Sequence, residues 1–291
     1  MIQGTGSSVG KSLLTAALCR IFTQEGWRVA PFKSQNMSNN AFVTVEGGEI
    51  SRAQAAQAEA CGIEPTVLMN PVLLKPTTDL GAQVIVLGKP VGTMTARDYQ
   101  AFKPQLRPII VQALQELMRQ TELLIIEGAG SPAEINLQAD DLANMWVARQ
   151  AEAKVLLVGD IDRGGVFAQL VGTMEVLPEA ERELVRGFLI NKFRGDASLL
   201  TPGLRWLEER CRRPVLGVIP YLHEVGLAEE DAISPDALES QPANGSLRIE
   251  VVHLPRLSNF TDFDALQRES DVTLRFVERP PAGPLPDCLI L

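Results

Sequence analysis

What most limits the fold of this chain is Gly4-Thr5-Gly6-Ser7-Ser8-Val9-Gly10-Lys11-Ser12, set between a short apolar run and an amphipathic helical pattern. Glycines let successive backbone N–H groups turn toward one point, and a helix beginning there adds the positive end of its dipole. Together they form a cradle for phosphate oxygens. Gly6, Ser7, Ser8, Val9 and Gly10 would line the cradle, Lys11 would neutralise β- and γ-phosphate charge, and Ser12 would offer a hydroxyl to Mg²⁺. A strict phosphate loop has glycine where Thr5 stands; here the glycines flank it at 4 and 6. A tight strand-to-helix turn with no ligand is the alternative, and the strand before and helix after favour a nucleotide.

A loop of this kind needs a parallel sheet behind it. Strand-like runs occur at Arg28–Lys33, Gln83–Leu87, Glu122–Glu127, Lys154–Asp160, Arg186–Lys192 and Val215–Pro220. Leu-Leu-Ile-Ile at 123–126 and Val-Leu-Leu-Val at 155–158 are apolar on both faces, as strands covered by helices on either side must be. Between them run helical stripes, one through Leu13, Leu14, Ala17, Leu18, Ile21 and Phe22, another through Ile109, Ile110, Ala113, Leu114 and Leu117. The expected class is α/β, a phosphate-loop type, mostly parallel sheet with helices on both faces. It should occupy residues 1–222. Residues 223–246, acidic and then rich in Pro, Ser, Asn and Gly, read as a linker. Strand patterns resume at Leu247–Leu254 and Thr273–Val277, and Cys288–Leu291 starts another, so 247–291 reads as the beginning of a second α/β domain. Only Met1, Ile2 and Gln3 precede the loop, and the last stretch is too short to close a core of its own, so both ends read as cut short.

Composition narrows the function. The formal net charge of −9, from 36 acidic against 27 basic side chains, argues against a nucleic-acid partner, which needs a basic face. No apolar run approaches the ~20 residues that span a bilayer. Cys19, Cys61, Cys211 and Cys288 lack C-x-x-C spacing and read as reduced thiols, as expected of a cytoplasmic protein. With His223 and His253 as its histidines, the chain is not expected to build a histidine metal site.

Several strands end in polar residues, where an α/β sheet gathers its ligands. Glu127 of Glu127-Gly128-Ala129-Gly130-Ser131 is placed to hold Mg²⁺ directly or through water, or else to cap a helix or loop. Lys33 ends the second strand and is either a second ammonium for a transferring phosphoryl group or substrate carboxylate, or a solvated lysine. Asn191, in Asn191-Lys192-Phe193-Arg194-Gly195-Asp196, would meet an adenine edge or simply form a turn. Asp160-Ile161-Asp162-Arg163-Gly164-Gly165 would contact phosphate or substrate, or serve its own turn.

These blocks, in this order, resemble the cobyric acid synthase family. The resemblance is carried by Pro31–Met37, Met69–Pro76, Glu127–Asn136, Asp160–Phe167, Ile190–Asp196 and Leu257–Asp264, spread over nearly the whole chain. The Gly-Thr-x-Ser-x-Val-Gly-Lys-Ser loop is also similar to that of dethiobiotin synthetases and cobyrinate diamide synthases, which accounts for Thr5. The resemblance implies ATP-dependent amidation of the b, d, e and g carboxylates of adenosylcobyrinic acid a,c-diamide, a corrinoid, through acyl phosphates. ATP and Mg²⁺ are the implied cofactors, and ammonia or glutamine the nitrogen donor. It places Lys11 and Ser12 on nucleotide and metal, Glu127 on Mg²⁺, Asn191 on the base and Lys33 on the reacting carboxyl-phosphate.

The same resemblance implies that 247–291 opens a class I glutamine amidotransferase domain. None of the four cysteines stands in a Gly-x-Cys-x-Gly turn, so these residues are expected to use free ammonia and not glutamine. The rival readings are cobyrinate a,c-diamide synthase, a dethiobiotin synthetase-like ligase and a non-catalytic MinD-like nucleotide switch. The Ser34-Gln35-Asn36 block speaks against the first and the 257–264 block against the second. Threonine at position 5, where the switch carries an early loop lysine, speaks against the third.

Overall fold

A computed structural model of the chain describes residues 1–78, 81–222, 247–254, 257, 259–278 and 285–291. The expected linker at 223–246 therefore lies outside the described residues, as does His223.

In chain order the elements are β1 (Ile2–Gly4), α1 (Lys11–Gln24), β2 (Val29–Phe32), β3 (Gln35–Met37), β4 (Ala41–Val43), β5 (Glu49–Ser51) and α2 (Arg52–Ala60). There follow β6 (Val72–Pro76), β7 (Gly81–Val86), β8 (Lys89–Thr95), α3 (Ala96–Gln120), β9 (Leu123–Ile126), α4 (Met145–Gln150), β10 (Val155–Asp160) and α5 (Val166–Val176). The remainder are α6 (Glu179–Arg182), β11 (Val185–Phe193), α7 (Thr201–Cys211), β12 (Val215–Pro220), β13 (Leu247–Val252), α8 (Asp264–Gln267), β14 (Val272–Val277) and β15 (Cys288–Ile290).

The main sheet is parallel. β1, β10, β11 and β12 pair in that order, β2 pairs with β9, and a bridge between Ile2 and Glu127 joins the two sets. The strand order is thus β2-β9-β1-β10-β11-β12, with β1 and its loop between the strand that ends at Glu127 and the strand that ends at Asp160. Doubly apolar β10 shows why helices cover both faces. Val155 and Leu157 enter a core with Leu170, Met174, Phe188 and Leu207, whereas Leu156 and Val158 pack with Ile2, Val9 and Leu14 under α1. The expected α/β class is what the chain forms.

Two local expectations change. The run expected as a strand at Gln83–Leu87 is β7, but it lies outside the parallel sheet: β3-β6-β7-β8 form a mixed sheet in which β6, β7 and β8 are antiparallel. Leu87 and Gly88 both have positive φ, and a two-residue turn of that kind returns the chain beside itself. The stripe of α1 is borne out in part: Leu14, Leu18 and Phe22 pack inward as expected. Ala17 and Ile21 face solvent, and the buried line runs through Leu14, Thr15 and Cys19. A small threonine and a thiol let α2 pack closely there, with Cys19 and Cys61 in one apolar cluster.

The C-terminal residues form a small parallel sheet, β14-β13-β15, around Ile249, Val251, Leu274 and Phe276. Two hydrogen bonds tie their connecting segment to the edge of β4. The Ala41 N–H donates to Asn259 Oδ1 at 2.9 Å, and the Thr261 hydroxyl to Asn40 Oδ1 at 2.9 Å.

Phe188 is fully buried in the core under α5 and α7. Phe188→Ala is expected to lower stability by about 3–5 kcal/mol, the cost of truncating a buried aromatic. Denaturant unfolding of the two proteins measures it, and a loss below about 1 kcal/mol would show this core to be loosely packed.

Candidate functional site

The loop between β1 and α1 is held open from three sides. Thr5 N–H donates to Val158 O at 3.0 Å, Asn191 Nδ2 to Val9 O at 2.8 Å, and Lys192 Nζ to Ser8 O at 2.7 Å. Each of these partners stands on or just past the end of β10 or β11, so the sheet sets the loop's shape. Lys192 is itself fixed by Asp160, 2.9 Å away and buried. Lys11 Nζ folds back to Gly6 O at 2.8 Å and Gly130 O at 3.0 Å. α1 opens at Gly10 with no side-chain cap and no acidic residue in its first turn, which leaves its N-terminal amides directed at an incoming anion. Gly10 has φ 98°, and a Cβ there would stand 2.1 Å from Asn191 Nδ2. Backbone conformation and the Asn191 strut both demand glycine.

Glu127 sits at the end of β9 beside this loop, and it is almost completely buried. Its Oε1 accepts from Ser12 Oγ at 2.8 Å and from Lys33 Nζ at 2.8 Å, and its Oε2 from Gln57 Nε2 at 2.5 Å. Burial by itself raises the pKa of the carboxyl. The Lys33 charge and the donors from Lys33, Gln57 and Ser12 outweigh it, so the net direction is down and Glu127 is ionised. Lys33 is equally buried and parts from no sequence expectation of its place, but it is a partner of Glu127 and not a solvated surface lysine.

The donor set is one of hard oxygens, the kind a divalent cation such as Mg²⁺ takes. Mg²⁺ favours hard oxygens and is usually held by one or two carboxylates together with phosphate oxygens and water. Ser12 and Glu127 offer a hydroxyl and a carboxylate oxygen to one point beside the loop. Among the described residues no group of three or more His, Cys, Asp and Glu could form an all-protein cage.

Beyond Glu127 the chain runs on as a loop fixed by Asn144. Its Oδ1 accepts from Ala129 N–H at 3.1 Å and its Nδ2 donates to Ala129 O at 2.7 Å. Asp141 in turn receives the backbone N–H groups of Ala143, Asn144 and Trp146. Behind this loop is a cavity of about 250 Å³, lined by Gln35, Met37, Lys103, Ser131, Leu137 and Asp141 among others. Asp162 and Arg194 pair at 2.9 Å, with the Arg194 guanidinium 3.5 Å from the Tyr221 ring centre.

The structure thus brings Ser12 and Lys33 onto Glu127, while Lys11 is turned onto the Gly6 and Gly130 carbonyls of the neighbouring loops. Asn191 is near the phosphate loop, where its amide nitrogen supports Val9. Sequence reasoning missed Gln57, Asn144 and Asp141. A faint signal for Gln57 existed: Gln54 and Gln57 interrupt an alanine-rich helix at i and i+3, and both are fully buried. Buried amides on such a face need partners.

Gly10→Ala places a left-handed conformation on a residue with a Cβ, at about 1–2 kcal/mol, and pushes Asn191 from its strut. ATP affinity is expected to fall about tenfold or more while the unfolding curve keeps its cooperativity. Isothermal titration of both proteins tests this, and unchanged affinity would mean that the loop geometry seen here is not the one that binds.

The family model described as "CobQ/CobB/MinD/ParA nucleotide binding domain" matches residues 1–235. A cobyric acid synthase of Desulforamulus reducens is 58% identical over 294 residues, covering 100% of this chain and 57% of that protein. One from Sorangium cellulosum is 59% identical over 282 residues, 96% of this chain and 54% of that protein. One from Desulforudis audaxviator is 56% identical over 280 residues, with 96% and 56% covered. The chain therefore spans a little over half the length of these curated relatives. With its phosphate loop, its parallel sheet and a family match over most of its length, the chain belongs to the CobQ/CobB/MinD/ParA nucleotide-binding domain family.

Proposed function

We propose that this chain carries the ATP-dependent amide-forming chemistry of a cobyric acid synthase. The observation that carries the reading is the meeting of Ser12 and Lys33 on Glu127 beside the phosphate loop, over which Lys11 is turned. It is supported by the cobyric acid synthases that align along the chain. The substrate class is a corrinoid bearing free carboxylates, adenosylcobyrinic acid a,c-diamide, and the nitrogen donor is ammonia, released from glutamine where a glutaminase unit is present. Residues 1–222 act as the synthetase unit, and 247–291 are the opening of a class I glutaminase unit. The setting is the cytoplasm; no described helix is long and apolar enough to cross a membrane.

In the reaction a substrate carboxylate oxygen attacks the γ-phosphorus of ATP, and the bond to the β-γ bridging oxygen breaks to give an acyl phosphate and ADP. Ammonia then attacks the acyl carbon, loses a proton, and phosphate leaves with the electron pair of the C–O bond. Such transfers depend on positioning and charge stabilisation rather than on covalent help from the protein. The N–H groups from Gly6 to Ser12 would hold the phosphates. Lys11, turned over its own loop, would bridge β- and γ-oxygens once the carbonyls of Gly6 and Gly130 release it. Lys33 would orient the attacking carboxylate and share the charge of the transferred phosphoryl group. Ser12 and Glu127 would hold Mg²⁺, which when bound supplies charge neutralisation to the phosphates. Asn191 would meet the adenine edge with the part of its amide not given to Val9.

Lys11 is the sole side-chain cation between residues 4 and 12. Lys11→Ala is expected to lower the ammonia-dependent amidation rate about 10²–10³-fold, the usual loss for a charge-stabilising group, with circular dichroism unchanged. A rate above about a tenth of the parent's would remove Lys11 from the assignment.

A further inference from the structure

The two oxygens of Glu127 have unlike surroundings. Oε1 faces the phosphate loop and is shared by the Ser12 hydroxyl and the Lys33 ammonium. Oε2 faces α2 and accepts from Gln57 Nε2 at 2.5 Å. The same nitrogen is 3.5 Å from Ser12 O, so Gln57 touches both proposed metal-holding residues. Its side chain is fully buried, and its Oε1 has no protein partner. A primary amide closed inside a helix interface with one end unsatisfied costs stability, so its retention calls for a reason.

The need follows from what a cation does at Oε1. A divalent ion held beside Ser12 would take that oxygen, and its charge would repel the ammonium of Lys33 from the same atom. Both partners seen on Oε1 then change their roles. Gln57, on the far oxygen and neutral, is not repelled, so it becomes the donor that keeps the carboxylate plane pointing at the loop. Resting on the amide-ligase reading, we propose that Gln57 is a positioning residue of the nucleotide and metal site: it fixes Oε2 of Glu127 so that Oε1 can pass from Lys33 to the cation. Lys33, displaced, is then available to the substrate carboxylate. The metal and the ammonium thus exchange places on one oxygen, and ATP–metal binding prepares the lysine for chemistry.

Gln57→Met keeps the volume and removes the donor; Gln57→Asn keeps an amide but draws it back by one methylene. The probe is Mn²⁺, read by electron paramagnetic resonance in the presence of a non-hydrolysable ATP analogue, with metal-free binding of the analogue measured alongside. Both variants are expected to weaken Mn²⁺ binding about 10–100-fold, the range for lost outer-shell partners, and to change metal-free nucleotide affinity by less than about threefold. A purely structural role would lower both affinities together, and that outcome would overturn the proposal. So would Mn²⁺ affinity within about twofold of the parent in whichever variant keeps the parent's melting temperature. If the parent binds Mn²⁺ with the analogue and the variants do too, Gln57 alone loses its role. If the parent itself fails to bind them, the amide-ligase reading falls and this proposal with it. Lys33→Met supplies an independent reading, since loss of the competing ammonium is expected to tighten Mn²⁺ binding; weaker binding there would contradict the exchange.

Discussion

The carboxylate of Glu127 is out of contact with water, and the architecture around it answers that single fact. Removing an ionised carboxylate from water costs several kcal/mol even after relaxation, and only close donors and an opposite charge offset it. Here the offset is spread over Lys33, Ser12 and Gln57, which belong to three separate stretches of chain. They meet because β9 lies between β1 and β2 in the sheet. β1 delivers Ser12 across the phosphate loop, β2 delivers Lys33 at its end, and α2 packs on α1 closely enough to bring Gln57 down from above. Loss of one partner of so buried a pair would cost about 3–5 kcal/mol, so the site is also a keystone of the fold. An ion pair placed this way gains the molecule little stability, since an apolar pair of similar volume would do as well or better. Its place at the mouth of a phosphate loop points to use.

The phosphate loop depends on a different set of partners. Asn191 and Lys192, from the end of β11, accept the task of holding Val9 and Ser8 by their carbonyls, and Asp160 steadies Lys192. Turning those carbonyls outward leaves the loop's N–H groups facing inward, where phosphate oxygens would be received. One half of the site is thus organised from β10 and β11, the other from β2, β9 and α2. β1 sits between them and joins the two.

Much of this was legible in the sequence because it is local. The phosphate loop declares itself by spacing, and β9 and the 155–158 run of β10 by being apolar on both faces. Glu127 and Lys33 were legible as strand-end residues, since a parallel sheet sends its carboxyl ends to one crevice. Their mutual contact was not, because it depends on strand order, which no short stretch encodes. Gln57 was hidden for the same reason: its meaning lies in a residue 70 positions away. The α1 stripe was legible at Leu14, Leu18 and Phe22 but not at Thr15 and Cys19, which count as weak apolar residues by type while close packing against α2 selects them for size. The strand run of β7 was legible, but its antiparallel pairing with β6 and β8 was not, because a strand pattern carries no direction until the Leu87-Gly88 turn is given its geometry.

The measurement closest to the centre is a Mg²⁺ titration of Glu127→Gln at saturating ATP, following amidation with ammonium as nitrogen source. The change keeps shape and removes charge, so ATP affinity should hold within about tenfold while the Mg²⁺ midpoint rises and the rate falls about 10²-fold or more. A Mg²⁺ midpoint and rate equal to the parent's would mean that Glu127 is a structural carboxylate, paired with Lys33 for the fold alone.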